Sequence, residues 1–463
     1  MTFSTGQYTW LALPFGFLFF YAGWKHKHIF FLLLLFFLPF SFEYHFTGDT
    51  ATDIPDELLM LYVSCLFLGY WVWSPELIAR RTWQHPLLIL LYVWFAWMII
   101  AVIFSTNLLV SVKFLLAKTW YSGAFVLAPI ILLREKENFR RSAIVLSVAM
   151  ILVVMIVLTR QSFQGLSFAS VNEALFPFFR NHVNYSAMLV CIIPVLTALF
   201  SFARLRAQRY ALGFAIVLAV TGLFFSYSRG AWLALPIGFF AGWLIKKRAL
   251  LITYIMVWVV AVGLLFWLKN QDRYLKYSHD YRTTIYHTDF GEHIIATYKL
   301  KDVSTAERFY RWIAGVRMIK EKALTGYGPN TFYENYKPFT IPAFRTWVSD
   351  NKEHSTVHNY FLLLAIEQGI PGLVFFIILL GAMLWYAQHL YHRVPDRFYK
   401  TVARTTGIIL VMIMVVNFLS DLIETDKIGS LFFLCLSILV VVDINTREKK
   451  KSDENFRSRP ADF

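Results

Sequence analysis

Residues 249–268 read ALLITYIMVWVVAVGLLFWL, twenty positions without a charge. A helix rises about 1.5 Å per residue and the hydrocarbon core of a bilayer is about 30 Å thick, so this run is long enough to cross it. Inside lipid every backbone N–H and C=O must find its partner within the segment, which leaves the helix as the conformation for such a run. Comparable stretches lie at approximately 8–23, 29–44, 57–76, 86–104, 109–133, 142–159, 184–203, 211–226, 231–245, 370–391, 401–420 and 428–443. The pattern predicts an all-α fold: a polytopic transmembrane bundle of about 12–13 spans with one large, partly helical loop. Composition agrees, with 58% hydrophobic residues where soluble chains have about 45–50% apolar residues.

Lys and Arg number 44 against 29 Asp and Glu, a formal charge of +15. In a soluble protein that balance suggests nucleic acid. Here much of the positive charge falls in alternate short loops: WKHKH (24–28), ARRTWQH (79–85), REKENFRR (134–141), ARLRAQR (203–209), KKR (246–248), HRVPDRFYK (392–400) and the tail REKKKSDENFRSR (447–459). The loops between them are acidic or polar: TGDTATDIPDE (47–57), STN (105–107), the segment 160–182, SYSRG (226–230) and SDLIETDK (420–427). Basic loops stay in the cytoplasm, so the second set is expected outside and the C-terminus inside. The first run, about 16 residues long, has no preceding basic region and no small-residue cleavage site, so a cleavable leader is not expected. Cys65, Cys191 and Cys435 all sit in apolar runs, away from any CxxC, which argues against a disulfide framework or a thiolate zinc site.

Four regions follow: N-terminal helices 1–268, a large outer loop 269–357, a helix that re-enters the membrane with the last three spans (358–445), and a basic tail 446–463 whose composition predicts disorder. A loop as long as 269–357 is usually functional or disordered. Its aromatic content and the helical pattern AERFYRWIAGVRMIKEKAL (306–324) predict that it is folded.

Charges on the expected outer side run against the topology rule. Arg229 stands between two spans, and Arg180, Arg308, Arg311, Arg317 and Arg345 lie on the same side. Arginine at the centre of a span costs about 2.5–3.5 kcal/mol on insertion scales, and arginine at outer helix ends works against insertion. Such a set suggests an anion, because guanidinium stays charged and grips phosphate with two parallel donors. Arg308 and Arg311 are spaced i,i+3, so both can reach one ligand; pairing with Glu307 and Glu321 is the alternative.

In EHSTVHNYFLLLAIEQGIPGL (353–373), His358 and Asn359 open a short helix that Gly369 and Pro371 close. A neutral imidazole at the membrane surface can accept a hydroxyl proton; a helix-capping histidine is the other reading. His354 and His358 are spaced i,i+4, but Ser355 stands where HExxH requires glutamate, so no metal site is expected. TGYGPNTF (325–332) lacks the GK[ST] of a nucleotide loop and predicts a tight turn. Asp49, Asp53 and Asp56 in the first outer loop are read mainly as topology charges, with a secondary claim as catalytic carboxylates.

SYSRGAWLAL (226–235), ERFYRWIAGVRMIKEKALTGYGPNTF (307–332) and VHNYFLLLAIEQGIPGL (357–373) together resemble the O-antigen ligase and polymerase superfamily of bacterial inner membranes, and NHVNYSAML (181–189) is similar to its Asn-containing helix start. The resemblance covers about residues 180–445. It implies a membrane glycosyltransferase, most like the O-antigen ligase, working on the periplasmic side of the inner membrane. The implied donor is a glycan on undecaprenyl pyrophosphate and the acceptor lipid A–core. A second lipid-linked unit is the acceptor for a polymerase, and a protein hydroxyl for a protein O-oligosaccharyltransferase. By motif match Arg229 and Arg308 bind the pyrophosphate and His358 is the essential histidine. Arg311 joins by its spacing from Arg308 and Arg180 by its side of the membrane, with Asn359, Trp312 and Asn184 in support.

The implied chemistry suits these residue types. Pyrophosphate is already a good leaving group, fixed arginines stabilise its growing charge, and the histidine takes the acceptor's proton, so neither metal nor cofactor is expected. One displacement inverts the anomeric carbon. A lipid-glycan transporter is the competing class, but it predicts repeats or broken helices and charges lining a path, and the sequence has no internal repeat. A non-catalytic scaffold leaves His358 and the arginines together without a reason.

Overall fold

A computed structural model describes residues 20–47, 50–271, 273, 303–342, 345, 349–350 and 355–457. The longer helices, in chain order, are α1 (Lys27–Phe37), α2 (Asp56–Trp73), α3 (Pro86–Ile103), α4 (Leu108–Leu132), α5 (Lys136–Phe163), α6 (His182–Phe202), α7 (Arg206–Phe224), α8 (Arg229–Lys246), α9 (Leu250–Lys269), α10 (Val303–Glu321), α11 (Tyr360–Glu367), α12 (Gly369–Arg393), α13 (Arg397–Phe418) and α14 (Asp426–Arg457). Among the described residues, ten of them are long and apolar enough to cross a membrane, which makes a polytopic helical bundle.

Two other expected spans take shorter or more polar forms. Lys27–Phe40 is apolar but short. α8 has the length, and its terminal Arg229 and Lys246 dilute its apolar character. The expected run 8–23 lies mostly outside the described residues. One loop departs from expectation: Phe42–Thr47 and Thr50–Ile54 pair as an antiparallel hairpin. The basic tail also differs, since α14 runs on to Arg457 where composition predicts disorder. Its Glu and Lys residues favour helix once the span has supplied the nucleus.

Side chains set several helix starts. The Asn181 side chain accepts from the amides of Val183 and Asn184 at α6, Asn107 from Val110 at α4, and Asp396 from Phe398 and Tyr399 at α13. Each satisfies amides that the first turn leaves without a partner.

The α8–α13 packing sets the position of the site. Gly238 and Gly242 are spaced i,i+4, and a Cβ at either would fall 2.4 Å from Met412 or 2.7 Å from Ile408. Small residues at this spacing let two membrane helices approach closely. The approach carries Arg229, the first residue of α8, to the far end of α13; a Cβ on Gly230 would sit 3.6 Å from Leu419.

The bundle has two chemically different ends. At one, Lys136 pairs with Asp396, Arg393 and Arg447 with Asp443, and Arg397 donates to the Ser201 carbonyl. The basic loops 134–141, 203–209 and 392–400 therefore share an end, as their charge predicts. The other end carries the folded part of the large loop. There α10, close to its expected limits of 306–324, packs on α11 through Ala314, Met318, Leu363 and Ile366.

The TGYGPNTF segment is the predicted tight turn, and it locks the loop to the bundle. Gly326 and Gly328 have φ of +71° and +105°, and a Cβ on Gly328 would fall 2.0 Å from Ser105 Oγ. Asn330 and Phe332 donate their amides to the Glu367 carboxylate at 2.8 and 3.1 Å, and Ser111 Oγ donates to the Pro329 carbonyl at 2.7 Å.

Candidate active site

Three sequence motifs each hold one residue other than glycine in the left-handed region: Tyr227 (φ +54°), Asn330 (φ +61°) and His358 (φ +51°). Such backbone persists only where its surroundings determine it, and it concentrates at functional sites. At His358 the surroundings are identifiable. Its amide donates to Thr356 Oγ1 at 3.3 Å. The Asn359 side chain accepts from the Leu362 amide at 2.9 Å and donates to the Phe418 carbonyl at 3.0 Å. Tyr360 N donates to the Ser420 carbonyl at 2.9 Å. Asn359 is thus the cap of α11 and a clamp to the end of α13.

Asp421 stands behind the imidazole. Its Oδ1 is 3.9 Å from His358 Nδ1, and Thr356 Oγ1 donates to its Oδ2 at 2.5 Å. At that distance the carboxylate lies on the Nδ1 side of the ring without hydrogen-bonding to it. The sequence reading missed Asp421 and Thr356. Asp421 lies in SDLIETDK, which read only as a polar outer loop, and its nearness to His358 depends on how α13 ends against α11.

α10 supplies the positive charge. Burial, then the guanidinium groups of Arg308 and Arg311, hold the His358 imidazole well below its ordinary pKa. The ring is crowded by protein, yet 37% of its side-chain surface stays open. Burial and the neighbouring Glu424 raise the Asp421 carboxyl, against the Thr356 hydrogen bond and Arg311, which lower it.

Arg308 and Arg311 differ in employment. Arg311 is buried, donates to the Thr356 carbonyl at 3.0 Å and pairs with Glu307 Oε2 at 3.3 Å, while Ser349 Oγ donates to Glu307 Oε1 at 2.5 Å. Trp312 Nε1 donates to the Val357 carbonyl at 3.0 Å. Arg311 and Trp312 therefore grip the two residues before His358. Arg308 is half-buried on the same helix and within electrostatic reach of the imidazole.

Arg311→Ala is expected to act through folding. The substitution breaks the buried Arg311–Glu307 pair, and breaking a buried pair by removing one partner costs about 3–5 kcal/mol. The large loop of this variant should become protease-sensitive while the spans stay inserted. Wild-type protease resistance would show that the pair does not hold the loop.

Arg229 begins α8, and the next residue, Gly230, lies against Leu419, two residues before Asp421. Ser228, the residue before Arg229, makes no side-chain cap at this helix start, where the helix dipole is positive. The remaining predicted residues lie apart. Arg180 is exposed ahead of α6, and Asn184 Oδ1 is buried in the first turn without a hydrogen-bond partner among the described residues. Asp53 and Asp56 belong to a buried ionic cluster in which Lys427 Nζ donates to Ser41 Oγ at 2.5 Å and Ser41 Oγ to Asp426 Oδ2 at 3.3 Å. Burial and the Asp426 charge push the Asp53 carboxyl up to about 7. His354 and Asp49 lie outside the described residues.

The site thus holds an imidazole with a carboxylate 3.9 Å away and arginines within electrostatic reach, at the loop end of the bundle. That arrangement suits an acceptor hydroxyl meeting an anionic leaving group. No curated protein matches the chain. Residues 214–377, which hold Arg229, Arg308, Arg311 and His358, match the family model described as O-antigen ligase (Wzy_C), so that segment of the chain is similar to the O-antigen ligases.

Proposed function

We propose that the protein transfers a glycan from undecaprenyl pyrophosphate to lipid A–core at the periplasmic face of the inner membrane. The observation that carries this reading is the juxtaposition of His358, with Asp421 behind it, and the Arg308 guanidinium. In the reaction the acceptor hydroxyl oxygen attacks the anomeric carbon from the face opposite the leaving group. The carbon–oxygen bond to pyrophosphate breaks, its electron pair stays on the departing oxygen, and the hydroxyl proton passes to His358 Nε2. The anomeric configuration inverts and undecaprenyl pyrophosphate departs.

Arg308 and Arg229 would hold the pyrophosphate in a water-poor region, where fixed cations stabilise growing charge without reorganising. Arg311 and Trp312 keep the His358 segment in place. The choice of ligase over polymerase or protein O-oligosaccharyltransferase rests on the motif resemblance. Surface lipopolysaccharide from cells lacking the gene, run beside the lipid-linked glycan pool, tests it. Loss of the ladder with long polymer accumulating on undecaprenyl pyrophosphate supports the ligase. Core bearing one repeat unit would make the protein a polymerase, and an unchanged ladder would remove both readings.

The depressed imidazole pKa gives a signed expectation. In free enzyme burial, and then the two arginines, hold the pKa of His358 below its ordinary 6.5, so the acid limb of kcat/KM lies below that pH. Bound pyrophosphate offsets the two guanidinium charges, raises the imidazole pKa and strengthens the base once the donor is seated. The acid limb of kcat should therefore lie at higher pH than that of kcat/KM. The opposite order would separate His358 from the arginines and the donor.

A further inference from the structure

We infer that the basic end of the bundle contains a binding site for one anionic membrane phospholipid, distinct from the site at the loop end. A cavity of about 890 Å³ opens there between α5, α6, α7, α13 and α14. Its wall is mainly apolar, with Leu146, Val195, Leu199, Ile409, Leu434 and Ile438 among the lining residues. A volume of this order holds a ligand of several hundred daltons.

Its dimensions match one leaflet. On α5 the lining runs from Lys136 to Leu146 and on α6 from Cys191 to Phe202, which at 1.5 Å per residue is roughly 15 Å, half the thickness of a bilayer core. Charge marks its mouth. Lys136, Arg140 and Arg204 lie there against a single carboxylate, Glu137. Lys136 is bound to Asp396 and Glu137 to Arg141. Arg140 and Arg204 are exposed and have neither ion pair nor hydrogen bond among the described residues. The hydroxyls of Ser142, Thr401 and Thr405 lie along the same wall.

Acyl chains in the cavity would bring a phosphate to the two arginines. The polarity argues for a lipid of the leaflet that faces the basic loops. A prenyl donor whose phosphates sit near His358 would instead direct its hydrocarbon end towards this basic rim. Basic pockets between transmembrane helices recognise anionic headgroups, each arginine near the surface contributing about 1 kcal/mol.

The test is native mass spectrometry of the full-length chain, delipidated in a mild detergent and titrated separately with cardiolipin, phosphatidylglycerol and phosphatidylethanolamine. We expect one anionic lipid retained per chain, phosphatidylethanolamine lost, and retention weakened roughly 30-fold in Arg140→Gln/Arg204→Gln, as two such contacts imply. Ala198→Phe, which fills the cavity, should lower retention without changing the charge. Retention of phosphatidylethanolamine equal to that of phosphatidylglycerol, or an unaltered double variant, overturns the proposal. So does undecaprenyl phosphate displacing the bound lipid with an affinity that Arg140→Gln/Arg204→Gln does not alter, which would give the cavity to the donor's tail.

Discussion

His358→Ala is expected to lower transfer by about 10²–10⁴-fold, the usual contribution of a general base, while the donor still binds. The expectation follows from position. The imidazole lies at the start of α11 with Asp421 3.9 Å from Nδ1, and more than a third of its side chain remains open. Its backbone is held by Asn359, Trp312 and Thr356, whose hydrogen bonds the substitution leaves in place. Loss of the side chain should therefore remove a proton acceptor without collapsing the loop. The measurement is single-turnover transfer with purified protein in lipid nanodiscs, beside equilibrium binding of the lipid-linked donor. Asp421→Asn should show a smaller loss, because the ring keeps its place and forfeits only the charge behind it. If His358→Ala abolishes donor binding as well, the histidine is a ligand of the pyrophosphate and the base lies elsewhere.

Arg308→Ala and Arg229→Ala should each cost about 10²–10³-fold in transfer, the scale for removing one fixed donor from a site where charge develops. The two arginines come from different parts of the chain. Arg308 rides on α10 of the large loop, and Arg229 is carried to the end of α13 by the close α8–α13 packing. A pyrophosphate held between them would fasten the loop to the bundle. Lysine at either position keeps the charge and loses the two parallel donors, so Arg308→Lys should recover only part of the activity. Fluorescence-detected size-exclusion profiles would confirm that both alanine variants insert and fold. Near wild-type transfer by either one would remove that arginine from the site. In that case the cation supply would shift to Arg311, whose structural pairing with Glu307 makes it a poorer candidate.

Much of this was legible in the chain. Runs of about 20 apolar residues have one solution in lipid, so the helical bundle followed from length and hydropathy alone. Alternating loop charge correctly grouped 134–141, 203–209 and 392–400 at one end. The helix at 306–324 was visible in its periodicity, and the TGYGPNTF turn in its glycines. The hairpin at Phe42–Thr47 and Thr50–Ile54 was not, because its first strand begins inside the run 29–44 that reads as a span and strands of six and five residues give too short a pattern.

Within the site the division is sharper. His358, Arg308 and Arg229 stood out because a titratable or cationic group at a membrane surface needs a reason. Asp421 did not, since an acidic residue in an outer loop satisfies the topology rule and raises no question. Arg308 and Arg311 looked equivalent at i,i+3, and only the fold turns Arg311 into the Glu307–Thr356 anchor. Hydropathy and charge act locally, over one helix or one loop, so the sequence by itself determined the bundle, its two ends and the candidate groups. Which groups meet depends on helix packing and on hydrogen bonds between residues distant in the chain, such as Asn359 to Phe418 and Thr356 to Asp421, and only the tertiary structure decided those.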